Sequence, residues 1–314
     1  MVENRRMGRG SSPELTRGYA SSGKVAKRVI WLFLLMLGPA LLASAKLIRA
    51  GLGHQTIDLG GVPLEIFTYR PKSCTPSSLL LVLHGLHRNA ESYRDDARPL
   101  ADALCAIEVA PLFDERRFPT WRYQKGGIVQ AGTLLPPAEW TGNLLLSLID
   151  WVRKSEGQPQ LAYSLIGHSG GAQFLSRFAA FVPNSARSIV IANPSTYVLP
   201  DLEVEVPFGL KGVYPPEGRE AALRNYLAQP VTILLGQEDL GDKDRDDSAS
   251  ARAQGDTRYE RGLNTFRAAQ AVAQAHAWPC NWRLVEVPGV GHNARTIFAS
   301  PQALAALQGN PATP

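Results

Sequence analysis

Cysteine is scarce, with three residues in a chain of 314, at positions 74, 105 and 280. No two form a C-x-x-C pair and none combines with histidine at metal-binding spacing, so no metal site is expected. Charge is also sparse, at 19% of residues, and unevenly placed. The formal net charge of +5 is carried by residues 1–45, with seven basic and two acidic side chains; beyond them 26 basic residues face 26 acidic ones. A domain without basic excess offers little to a phosphate backbone, so no nucleic-acid partner is expected. Internal repeats and Ser- or Gly-rich linkers are lacking as well. An apolar content of 45% is ample for a core. The sequence therefore divides into a leader, residues 1–45, and one domain, residues 46–314.

The leader has its own pattern. Lys24, Lys27 and Arg28 precede the apolar residues 29–42, and Ala43-Ser44-Ala45 follows. A charged region, an apolar run and a small-x-small site describe a signal peptide. An uncleaved signal anchor is the alternative, although Gly38-Pro39 interrupts the run and a full span needs about 20 apolar residues. Both readings export the remainder, to periplasm or exterior, because positive charge stays inside. Membrane contact is then expected only through the N-terminal segment, if it is uncleaved.

Residues 56–59 and 62–69 around Gly60-Gly61 predict a hairpin with a two-residue turn. Residues 78–83 are a continuous apolar strand, as in a sheet covered on both faces. Asn89 is the expected cap of a helix to about Leu104. Further strands are expected at 106–110, 161–166, 188–192, 231–235 and 282–287. Helices are expected at 140–154, 172–180, 257–276 and 301–307. Residues 193–229 read as irregular. The order predicts an α/β fold: a mostly parallel, doubly covered sheet with an antiparallel N-terminal hairpin and a small irregular cap. Cys74 and Cys105 each precede a strand, and these strands are expected neighbours. An exported protein permits one disulfide, so the favoured pair is Cys74–Cys105; three separate buried cysteines are the alternative.

One pattern carries chemistry. Gly167-His168-Ser169-Gly170-Gly171 lies between a predicted strand and a predicted helix, the setting of a nucleophile elbow. A serine hydroxyl needs a base, and the base needs an orienting acid. Asp239 follows the strand 231–235 and His292 follows the strand 282–287, both on glycine-containing loops at strand carboxyl ends. Ser169, Asp239 and His292 are the predicted catalytic residues. The predicted oxyanion donors are the backbone N–H groups of Gly170 and of Leu86, the latter in His84-Gly85-Leu86-His87 after the strand 78–83. His84, His87 and His168 are read as packing or loop residues, and the acidic run 242–247 as a solvated loop.

Together, His84-Gly85, the 167–171 motif, Gly236-x-x-Asp239 and Gly291-His292 resemble the α/β-hydrolase superfamily over residues 55–308. Within it, the stretch from Leu83 through His84-Gly85-Leu86-His87-Arg88-Asn89 to Ala90, followed by Tyr93-Arg94-Asp95, is similar to the poly(3-hydroxybutyrate) depolymerase and feruloyl-esterase-like group. The resemblance implies the α/β-hydrolase fold and hydrolysis of small or oligomeric carboxylic esters through an acyl-enzyme, with no cofactor. Extracellular depolymerases often add a linker and a substrate-binding domain, neither of which follows the last predicted helix, so attack on solid polymer is not expected. Trp121, Tyr123, Trp140 and Tyr197 are candidate substrate-binding aromatics on loops at the active face. A peptidase, amidase or acyltransferase with the same three residues is the alternative reading. A non-catalytic binding protein on a hydrolase fold is the remaining one.

Overall fold

Gly60 and Gly61 turn the chain back on itself with φ of 67° and 88°. This left-handed pair is what a two-residue hairpin turn demands. Leu59 N–H donates to the Val62 carbonyl at 3.0 Å and closes it. The turn joins β1 (Gly51–Asp58) to β2 (Pro63–Arg70) in antiparallel register. The computed structural model describes residues 47–309; the predicted leader, residues 1–45, lies outside them. Among the described residues no helix is long and apolar enough to cross a membrane.

The chain continues through β3 (Ser78–Leu83), α1 (Ala90–Leu104) and β4 (Ala106–Leu112). A small ribbon follows, β5 (Val129–Gln130) with β6 (Thr133–Leu134). Then come α2 (Thr141–Ser155), β7 (Ala162–His168), α3 (Gly170–Phe181), β8 (Ser188–Ala192), α4 (Pro216–Leu227) and β9 (Val231–Gly236). The chain ends with α5 (Ala249–Arg252), α6 (Arg258–His276), β10 (Arg283–Val287), α7 (Ala294–Phe298) and α8 (Pro301–Gln308). Eight strands form one sheet in the order β1-β2-β4-β3-β7-β8-β9-β10. β2 pairs antiparallel with β4, and every pairing from β4 to β10 is parallel.

The continuous apolar run of β3 is explained by burial on both faces. Leu79, Leu81 and Leu83 enter one core with α2, α3 and α6. Leu80 and Val82 enter the other with α1, α7 and α8. Each such side chain contributes about 1.5–3 kcal/mol relative to exposure. α6 starts with a capping box, Thr257 with Glu260. Cys74 and Cys105 are joined in a disulfide, and Cys280 is a half-buried free thiol.

Three local expectations are corrected. Asn89 precedes α1 but makes no side-chain capping bond. Residues 216–227 form α4 rather than irregular chain. Only Leu223, Tyr226 and Leu227 of that helix are buried, so the apolar period is confined to its last turns. α5 and α7 were not anticipated, being too short to show a period. The segment 193–215 is held down by Arg177 of α3, fully buried, which donates to the carbonyls of Thr196 (2.8 Å) and Pro207 (3.1 Å). Burial lowers its pKa to about 10, so it keeps its charge at neutral pH.

Glu108 of β4 is fully buried and neither carboxyl oxygen has a hydrogen-bond partner among the described residues. Burial raises its pKa well above the ordinary 4.5, against the opposing pull of Arg94. An acid kept neutral in the fold contributes stability below its unfolded pKa and loses it as pH rises. Glu108→Gln should therefore gain on the wild type as pH rises above about 4.5, by up to about 1.4 kcal/mol per pH unit. Urea unfolding of both proteins at several pH values checks this; a pH-independent difference would show that Glu108 ionises normally.

Candidate active site

β7 ends at His168, and Ser169 turns the chain into α3 with φ 56° and ψ −116°. Such a conformation is uncommon for a residue with a Cβ and is held only by its surroundings. Here Ser169 N–H donates to the Ala192 carbonyl of β8 at 3.0 Å, and Ser169 C=O accepts from Gln173 N–H at the start of α3. The flanking glycines are required by contact. A Cβ on Gly171 would lie 2.2 Å from the Leu83 carbonyl oxygen, and one on Gly167 2.6 Å from the Gly171 carbonyl carbon.

Three strand ends converge on the serine. Ser169 Oγ is 3.0 Å from His292 Nε2, and His292 Nδ1 is 2.7 Å from Asp239 Oδ2. The loops bearing these partners are tied together. Glu238 N–H donates to the Val290 carbonyl at 2.9 Å, and Gln237 N–H to the Val287 carbonyl at 3.1 Å. Asp239 is buried, and two residues not anticipated from the sequence support it. Asn193 Nδ2 donates to Oδ2 at 2.7 Å, while its Oδ1 accepts from Gly236 N–H at 2.9 Å. Arg258 of α6, also buried, places Nη1 3.4 Å from Asp239 Oδ1. Asn193 directly follows β8, a strand-end position of the kind that signalled Asp239 and His292. Arg258 had no local signal.

The predicted oxyanion residues lie side by side. A Cβ on Gly170 would approach the Leu86 backbone nitrogen to 3.1 Å. The Leu86 loop is braced by His84, whose Nε2 accepts from Phe113 N–H (3.0 Å) and whose Nδ1–H donates to Gly85 C=O (2.9 Å). These donors assign a neutral ring, and complete burial lowers its pKa to about 3.

The four candidate aromatics do not wall this site. Tyr123 is fully buried, stacks on Phe113 and Phe174, and donates its hydroxyl to the His84 carbonyl at 2.8 Å. It supports the Leu86 loop from inside. Trp140 is buried against Phe181, with its indole N–H on the Leu135 carbonyl. Tyr197 is buried in the core, and Trp121 is half-buried and outside the cleft. Burial of a large ring is worth more than its exposure at a loop surface. The cleft at Ser169, about 700 Å³, mixes polar groups such as Asn89, Ser92 and Lys243 with Leu86, Tyr93 and Ala294. Its rim carries the pairs Arg295–Asp96 (2.8 Å) and His87–Asp244 (3.7 Å). The acidic run 242–247 is a solvated loop, with Asp242, Asp244 and Asp247 exposed, and its backbone is held by buried arginines. Arg258 donates to the carbonyls of Gly241 and Lys243, and Arg261 to that of Asp246.

A serine at a strand-to-helix turn, with histidine and acid at later strand ends, defines the α/β-hydrolase fold. No family profile matches the chain, and no curated protein matches it. Among solved structures, poly(aspartic acid) hydrolase-1 from Sphingomonas sp. KT-1 is similar, with 31% identity over 82% of this chain and 99% of that one, at a TM-score of 0.76. LpqC, a poly(3-hydroxybutyrate) depolymerase from Bordetella parapertussis, has 30% identity over 82% of this chain and 94% of that one, at a TM-score of 0.74. FphF, a fluorophosphonate-binding serine hydrolase from Staphylococcus aureus, shares the fold at 13% identity over 83% of this chain and 100% of that one, with a TM-score of 0.51. The chain belongs to the poly(3-hydroxybutyrate) depolymerase-like group of α/β-hydrolases, and it is a hydrolase.

Arg258 offers a direct test of how the acid is held. Arg258→Met leaves Asp239 without its cation and frees the carbonyls of Gly241 and Lys243. Breaking a buried pair in this way should destabilise the fold by about 3–5 kcal/mol in urea unfolding. A loss below about 1 kcal/mol, the range of an exposed pair, would mean the pair does not hold the loop.

Proposed function

We propose that the protein hydrolyses carboxylic esters through an acyl-enzyme, with Ser169 as nucleophile, His292 as general base and Asp239 as the acid that orients it. The observation that carries this reading is the continuous path Oγ–Nε2 (3.0 Å) and Nδ1–Oδ2 (2.7 Å) ending on a buried, doubly held carboxylate. His292 Nε2 takes the Oγ proton as Oγ bonds to the ester carbonyl carbon. Asp239 fixes the tautomer with the proton on Nδ1 and stabilises the imidazolium. The carbonyl oxygen, now negative, is received by the N–H groups of Leu86 and Gly170. His292 returns the proton to the leaving alkoxide, and a water repeats the sequence to release the acid.

Amide hydrolysis is the second reading. It is favoured by the similarity to poly(aspartic acid) hydrolase-1, since that polymer is a polyamide whereas poly(3-hydroxybutyrate) is a polyester. Export is also proposed. It is supported by the basic, apolar and small-residue pattern of residues 24–45 and by the Cys74–Cys105 disulfide, which suits an oxidising compartment.

Ser169→Ala and His292→Ala should each lower kcat by about five to six orders of magnitude, and the double variant hardly further, because the residues act as a unit. Leu86→Pro, which removes one oxyanion donor, should cost about 3–4 kcal/mol in kcat/KM. Matched ester and amide substrates of one acyl group complete the test. Additive losses would overturn the residue roles, and faster amide turnover would replace the ester reading with the amide one.

A further inference from the structure

His168, the residue before Ser169, ends β7 and is 2% exposed. Its ring centroid lies 4.5 Å from that of His292, with the planes 39° apart. At its edge Tyr93 of α1 places Oη 3.2 Å from His168 Nδ1. Tyr93 in turn stands against the Leu86 loop, where a Cβ on Gly85 would come within 2.5 Å of its hydroxyl. Burial pushes the Tyr93 phenol up, so it stays protonated and shares a hydrogen bond with Nδ1. In either tautomer the other ring nitrogen, Nε2, is buried and meets no hydrogen-bonding group among the described residues. Burial first, then His292 and Arg258, hold the His168 ring well below its ordinary pKa. A buried ring nitrogen without a partner costs stability. The bond to Tyr93 accounts for Nδ1, but it does not account for a ring laid against His292 with its second nitrogen unpartnered.

We infer that His168 is a positioning residue: a neutral aromatic platform, oriented by Tyr93, that carries the His292 ring and stabilises the imidazolium formed when His292 takes the Ser169 proton. This rests on the proposed roles of Ser169 and His292. The physical basis is the negative face of an aromatic ring, which attracts a cation within about 6 Å of its centroid. A protonated His168 would repel the same cation, so neutrality is required. The groups facing the pair are Tyr93 from α1, Arg258 from α6, Asp239 from the loop after β9, and Ser169 itself. Of these, Asp239 already neutralises Arg258 and fixes Nδ1 of His292. The face of His292 is left to His168.

The test compares wild type, His168→Phe and His168→Leu, at equal folded fraction by circular dichroism. It uses p-nitrophenyl acetate turnover against pH and NMR titration of the histidine rings. Phenylalanine keeps the face, so His168→Phe should stay within about threefold of wild-type kcat. Leucine removes it. His168→Leu should lose about tenfold in kcat at unchanged KM, with the His292 midpoint and the acid limb of kcat/KM moving down by up to about one pH unit. In wild type the His168 ring should already be neutral at about pH 6.5, the ordinary histidine midpoint, and stay so above it. The inference is overturned if the leucine variant matches wild type in kcat and in His292 midpoint. It is equally overturned if both variants lose alike with the midpoint unmoved, or if wild-type His168 titrates at or above the ordinary histidine midpoint. Should wild type fail to turn over the ester, the proposed roles fail; the NMR titration still decides whether the ring pair shifts His292.

Discussion

The site depends on how closely the start of α3 can approach the ends of β3 and β7. No side chain fits at Gly171 or Gly167, because backbone already occupies the space each Cβ would take. That contact lets the chain reverse at Ser169 in a left-handed conformation. It also sets Gly170 beside the Leu86 amide, so the Ser169 turn and the Gly170 and Leu86 amides are fixed by one piece of backbone packing. The strain at Ser169 is held by bonds on both sides, to Ala192 of β8 and to the first turn of α3.

A second constraint is electrostatic. Asp239 is buried, and a buried carboxylate stays charged only when neighbours supply what water would. Asn193, Arg258 and His292 do so from three different elements. The same arginine pins the loop after Asp239 through backbone carbonyls. Acid position, loop shape and histidine orientation are thereby one network, and loosening any member is felt at Ser169.

Much of this was legible in the sequence because it is local. The 167–171 motif, the paired glycines of the hairpin and the apolar run of β3 each express a backbone or burial requirement within a few residues. Ser169, Asp239 and His292 could be placed because parallel strands present their carboxyl ends at one edge. What was hidden acts at long range. Arg258 lies on a helix with no marker of its inward partner, and Tyr93 meets His168 only because α1 packs on β3, the neighbour of β7. The aromatics at 123, 140 and 197 show the opposite error. Loop rings at the active face suggested a substrate wall, but the loops are long enough to fold their rings inward, where burial wins. α4 escaped notice because only its last turns touch the core.

The central claim is that Ser169 is a nucleophile activated by His292. It is tested most directly by exposing the folded protein to a fluorophosphonate probe and locating the adduct by mass spectrometry. The account predicts one covalent adduct, on Ser169, formed rapidly in wild type and suppressed in His292→Ala. An unlabelled wild-type protein, or labelling of Ser169 that is indifferent to His292, would contradict it.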